Sequence, residues 1–232
     1  MLRDMGKLRH LIDDARASLK WPVNEVIGHG YFEIHTDPHK KDHTISWPQP
    51  NSPGGVPRDI EVLHELLHAQ MAETIHPQFG SAYFKRGTPD ELVAMCELPY
   101  RAACDWFVDA RLYELCPEIE GREIREHLDM TLEAIQSGRF QHDINTFYFA
   151  ALIISQAMYH LRETIRTAGM LKKTINAFLS IPPENPTLAK LEALTNKLLK
   201  IHNISVELIE DGGIEVWQIH KKQKKGKKRR KG

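Results

Sequence analysis

Two histidines four residues apart, with a glutamate after the first, stand in His64-Glu65-Leu66-Leu67-His68. On a helix, residues at i and i+4 share a face, so both imidazoles reach one point. Zinc takes imidazole nitrogens readily, and a catalytic zinc keeps one of four positions for water. Glu65, beside the first ligand, is placed to take a proton from that water. The expected roles are His64 and His68 as metal ligands and Glu65 as general base. Their chemistry would be hydrolysis, with zinc lowering the water's pKa and polarising the scissile carbonyl.

Such a centre needs a third protein ligand. A His six residues after His68, following a Gly three residues after it, would complete one known spacing. Met71 and Thr74 stand there, so that arrangement is excluded. The segment Arg101–Arg111 offers Asp105 and Asp109, again four apart on one helical face. One can bind the metal while the other accepts the free N–H of a ligand imidazole. Glu91 and Glu97 are rival carboxylates. His76 lies eight residues beyond His68, too far along the axis to share the ion. For an oxyanion partner, Tyr83, Tyr100 and Tyr113 are candidates, but each is better explained as a packing residue, and none is assigned the role.

HELLH followed by a D-x-x-x-D helix resembles the zincin metallopeptidases of the gluzincin and aspzincin types. The resemblance spans roughly residues 30 to 115. It implies that Asp105 is the third ligand and Asp109 its supporting acid. The gluzincin pattern has Glu where Asp105 stands, and the shorter arm requires a closer approach of the two helices. The resemblance also implies a small sheet beside the active-site helix, a substrate extended along an edge strand, and peptide-bond hydrolysis as the reaction.

The elements that must position these residues follow from periodicity. Apolar Ile60, Leu63, Leu67, Met71 and Ile75 predict a helix from about Asp59 to Ile75, stopped by His76-Pro77. Thr88-Pro89-Asp90-Glu91 reads as a capping box opening a second helix. Pro99 is expected to break or kink it, with a further helix from Tyr100 to Leu115. A helix over residues 3 to 19 precedes a hairpin formed by Tyr31–His35 and Thr44–Trp47. Four prolines between 48 and 57 mark a loop. Later helices are expected at 121–136, 144–167, 170–179 and 187–201. Ile204–Ile209 and Ile214–Ile219 flank Asp211-Gly212-Gly213 as a second hairpin. The expected fold class is α+β, mainly helical, with a zincin-like core. Residues 1–202 would form the domain with its helical extension, 203–220 a hairpin packed on it, and 221–232 a disordered basic tail.

Composition narrows the alternatives. The 232 residues include 31 basic and 31 acidic ones. Nine of the basic residues crowd into Lys221–Gly232, so the body sets 22 bases against 31 acids, a net of about −9. An acidic body argues against a dedicated nucleic-acid-binding domain, although the tail suits weak contact with nucleic acid or an acidic partner. Without interleaved aromatics it does not suit stacking on single strands. Cys96, Cys104 and Cys116 match no metal ribbon or redox pair and fit a cytoplasmic protein with buried thiols. Met1–Lys20 has no apolar leader, and the apolar run Phe147–Tyr159 is too short to span a membrane. His29, His35, His39 and His43 read as a surface hairpin rather than a second metal site. Two other functions fit the same residues: a catalytically silent zincin-like scaffold, or a nucleic-acid-associated module that uses the tail.

Overall fold

In the computed structural model, residues 2–28, 30–49, 55–138 and 144–221 are described. Helix α1 (Leu2–Ser18) leads into strand β1 (Val23–Ile27), then β2 (Glu33–Asp37) and β3 (Asp42–Trp47). Next come α2 (Asp59–Thr74), α3 (Asp90–Leu115), α4 (Pro117–Gln136) and α5 (Ile144–His160). Helices α6 (Gly169–Leu179) and α7 (Leu188–Leu199) precede strands β4 (Ile204–Asp211) and β5 (Ile214–Lys221). The class is α+β and predominantly helical.

Helix α2 is the axis of the molecule. It buries Leu63, Leu66 and Leu67 almost completely, together with Ala69 and Ala72, so two opposite faces are covered. One face packs on α1, the other on α3 and the sheet. Its N-terminus is closed by Glu61, which accepts the Arg58 backbone N–H at 2.9 Å and the Arg58 Nε–H at 2.9 Å.

The first sheet has the order β1-β3-β2, with β1 parallel and β2 antiparallel to β3. The β2–β3 hairpin matches expectation, but its turn is tighter than Thr36–His43. Pairing runs to Asp37 and Asp42, and Lys41 takes a positive φ of 55°. Strand β1 is an addition. Its residues Val26 and Ile27 are exposed, so no alternation marks it.

Glu73 ties this sheet to the helices. Its carboxylate accepts the backbone N–H of Lys20 (2.8 Å) and Trp21 (2.9 Å), and the Nε2–H of His43 (3.0 Å). The His43 ring is fully buried and takes the Thr36 hydroxyl on its other nitrogen at 2.9 Å. The surface-hairpin reading therefore fails for His43, which is a core residue. It still describes His39, which is exposed, and His35, whose ring meets Ser81. His29 lies outside the described residues.

Glu73 also provides a prediction about acid stability. Burial would raise its pKa, but the bonds from Trp21, His43 and Lys20 outweigh that and hold it below the ordinary 4.5. A depressed carboxyl contributes stability above its unfolded value and loses it as pH falls through the folded one. Glu73→Ala leaves the buried His43 Nε2–H and two backbone N–H groups without their acceptor and should cost about 1–3 kcal/mol at neutral pH. Urea melts at stepped pH check both parts. The wild type should weaken from about pH 4.5 downward, and the gap to the variant should narrow over that window.

Three helical expectations are corrected. Thr88 does not cap α3: its hydroxyl donates to the Lys85 carbonyl, and Pro89 is the N-cap residue, so Glu91 completes no capping box and stands exposed. Pro99 does not break the helix either, because α3 runs unbroken from Asp90 to Leu115. A proline inside a helix costs about 3 kcal/mol. Here Cys96, Ala102, Ala103 and Trp106 are buried on both sides of it, and their packing holds the helix together. Helix α5 ends at His160 rather than 167, with Arg162 at φ 60°.

The β4–β5 hairpin turns on Gly212-Gly213, both at positive φ, as a two-residue turn requires. It docks through Trp217, which is fully buried and exchanges backbone hydrogen bonds with Tyr83 and Lys85. A single core cluster extends from Leu8 to Trp217. The basic tail beyond Lys221 and the loop centre 50–54 lie outside the described residues.

Candidate metal centre

His64 and His68 emerge one turn apart from α2 toward α3, which presents Asp105 and Asp109 one turn apart in return. The spacing that put each pair on one face now sets them opposite each other. His64 Nε2 and His68 Nε2 are 3.0 Å apart. Asp105 Oδ1 lies 3.3 Å from the His68 nitrogen and 3.8 Å from the His64 nitrogen. Ligand atoms around a tetrahedral ion with bonds of about 2.0–2.1 Å stand roughly 3.3 Å apart. The point equidistant from these three atoms is about 2.0 Å from each, so the group could hold a metal ion without rearrangement.

The tautomers make the case stronger. His68 Nδ1 is 2.7 Å from the Phe79 carbonyl oxygen, which can only accept, so this nitrogen carries the hydrogen. His64 Nδ1 is 2.8 Å from Asp109 Oδ1, and the same logic applies. The two Nε2 atoms then face each other and Asp105, an arrangement that either a proton or a metal cation satisfies. A metal would displace the proton that His64 otherwise holds. Burial opposes the charged form, but Asp109, then Asp105 and Glu65, outweigh it and push the pKa up to about 10.

Each ligand has a support. Asp109 also receives a hydrogen bond from Gln156 of α5, giving an ordered chain Gln156, Asp109, His64. Phe79 ends the short 3-10 turn Pro77–Phe79 and is buried against Phe107. Gly80 follows it because the chain there runs against Thr36 and Ala72. A Cβ on Gly80 would meet Thr36 Oγ1 at 2.4 Å. That close approach sets the Phe79 carbonyl beneath His68.

Glu65 Oε2 accepts the backbone N–H of Ile34 at 3.0 Å. The strand edge thus fixes one carboxylate oxygen and leaves Oε1 to act. Glu65 also lines both cavities that flank the metal group. One, of about 510 Å³, lies among α2, α3, α4 and α5; the other, of about 610 Å³, lies between β2 and α3. Both share Tyr31, Phe32, His64, Glu65, Asp105 and Phe149, so the cleft crosses the metal group.

The remaining candidates separate. Glu97 lines the second cavity but stands outside the ligand group. His76 bonds Glu215 of β5. Tyr113 stacks on His160, and Tyr83 donates to the Thr36 carbonyl. The Tyr100 hydroxyl is buried beside Cys104, and burial raises its pKa well above the ordinary value. The expected strand-adding edge is already engaged along Ile34–Thr36. Glu65 holds Ile34 N–H, Ser81 Oγ holds Thr36 N–H at 3.1 Å, and Tyr83 holds Thr36 O.

The three cysteines are buried free thiols, and burial drives all their pKa values up. No helix among the described residues is long and apolar enough to cross a membrane. Comparison with protein-family models, curated proteins and solved structures finds no match.

Proposed function

We propose that the chain is a zinc-dependent peptidase whose metal is held by His64, His68 and Asp105. The observation that carries this reading is the convergence of one possible ligand atom from each of His64, His68 and Asp105 on one point, with Glu65 in the same cleft. Two imidazoles and one carboxylate suit zinc with a fourth position open. When bound, zinc supplies Lewis acidity to the scissile carbonyl and acidifies the attacking water.

The chain's own residues do the rest. Glu65 Oε1 takes the water's proton while Ile34 N–H keeps the carboxylate turned to the cleft. Glu65 then returns that proton to the leaving amine. Asp109 and the Phe79 carbonyl fix the two imidazole orientations that a metal would need. The cavities on either side of the metal group accommodate chain on both sides of a scissile bond.

Dialysed protein reloaded with zinc should hold one ion per chain and cleave a mixed pool of quenched-fluorescent peptides. A chelator should abolish cleavage, and zinc should restore it. Bound zinc with no cleavage across the pool would reject the peptidase reading and leave a metal-stabilised scaffold. Failure to bind any divalent metal would reject the centre itself.

A further inference from the structure

The cavity among α2, α3, α4 and α5 contains a carboxyl group that the hydrolytic reading does not use. Glu120 is 6% exposed, lines this cavity, and has no hydrogen-bond partner for its side chain among the described residues. Its position follows from local structure. Pro117 starts α4 immediately after α3 ends, and the first turn of α4 is folded back beside Asp109 and Leu112. Glu120 consequently faces the interior on a helix whose Glu118, Arg122, Arg125, Glu126 and Asp129 face water.

A buried carboxyl without a partner is costly, and natural proteins pair such groups. The neighbouring charges are already committed. Arg58 bonds Glu61 at 2.9 Å and Glu123 at 2.7 Å, so the cation at this rim serves two other carboxylates. Asp109 is engaged by His64 and Gln156. One side of the wall is apolar, with Ile124, Phe149, Leu152 and Ile153, while Glu61, Glu65, Asp105 and Glu123 add carboxylates around Glu120. An apolar wall facing several acids suits a side chain with an aliphatic stem and a cationic head.

We propose that this cavity receives a lysine or arginine side chain of the substrate, with Glu120 as its counter-charge. The proposal rests on the peptidase reading and specifies its substrate class: basic residues adjacent to the scissile bond. Burial and the Asp109 charge hold the Glu120 pKa up to about 8 without a guest. A cation arriving in the cavity acts in the opposite direction and favours the carboxylate.

The test separates binding from hydrolysis. The probes are acetylated, amidated hexa-alanine peptides with one lysine walked along the chain, each matched by a norleucine counterpart. Binding is measured by calorimetry on zinc-loaded Glu65→Gln protein, which holds peptide without turning it over. At one lysine position the peptide should bind about tenfold or more tightly than its norleucine match. Glu120→Gln, checked for intact zinc content and thermal unfolding, should erase that preference. Equal affinity of all lysine and norleucine pairs would overturn the proposal, as would no binding of either series. So would a lysine preference that survives Glu120→Gln. Wild-type turnover of the same peptides is read independently. A Glu120-dependent lysine preference without any cleavage supports this pocket while rejecting the peptidase reading.

Discussion

Glu65→Gln protein should retain one zinc per chain and lose peptide hydrolysis by about 10²–10⁴-fold, the usual contribution of a positioned general base. The amide is nearly isosteric. Its oxygen can still accept the Ile34 N–H that Glu65 Oε2 accepts at 3.0 Å, so the strand edge and the cleft stay in place. What it lacks is basicity. Glu65 is not among the three atoms that face the metal point, so stoichiometry should not change. Metal analysis and single-turnover rates on one peptide check the two halves separately. Full hydrolysis by a zinc-loaded Gln variant would remove Glu65 from the mechanism. Loss of zinc together with hydrolysis would show that Glu65 supports the ion instead.

The parts of this centre that could be read in sequence are those encoded by spacing. His64 and His68, four apart, and Asp105 and Asp109, four apart, each define a helical face before any coordinates exist. The helix over Asp59–Thr74 followed from the same period. Parts that depend on a backbone atom carried no such mark. The Phe79 carbonyl that orients His68 has no side-chain identity, and only Gly80, through its close approach to Thr36, hints at that contact. Gln156 left a clearer trace. It interrupts an apolar run in a core helix, and a buried polar residue must find a partner, which proves to be Asp109. Glu120 was hidden by its surroundings, because it stands just before the helix expected at 121–136 and between the acids Glu118 and Glu123. Whether an acid there faces inward depends on how tightly α4 folds back on α3. Pro99 shows the opposite limit. Its local signal for a break is correct as a propensity and is overridden by buried neighbours on both sides.

Asp105→Ala and Asp109→Asn should differ in degree, and the difference tests which acid meets the metal. Asp105 Oδ1 is 3.3 and 3.8 Å from the two Nε2 atoms, within the edge length of a tetrahedral site. Removing it leaves two imidazoles, so zinc affinity should fall by more than about 100-fold. That exceeds the 10–100-fold typical of losing a partner behind a ligand. Asp109 meets the far nitrogen of His64, at 2.8 Å, rather than the point between the two Nε2 atoms. An Asn oxygen can still accept that N–H and preserve the ring orientation. Its lost charge lowers the basicity of His64, and the expected weakening is about 10–100-fold. Competition with a zinc-sensing chelator measures both on one scale. A larger loss in Asp109→Asn than in Asp105→Ala would exchange the two roles. Unchanged affinity in Asp105→Ala would place the third ligand elsewhere, with Glu97 on the cleft wall the first residue to test.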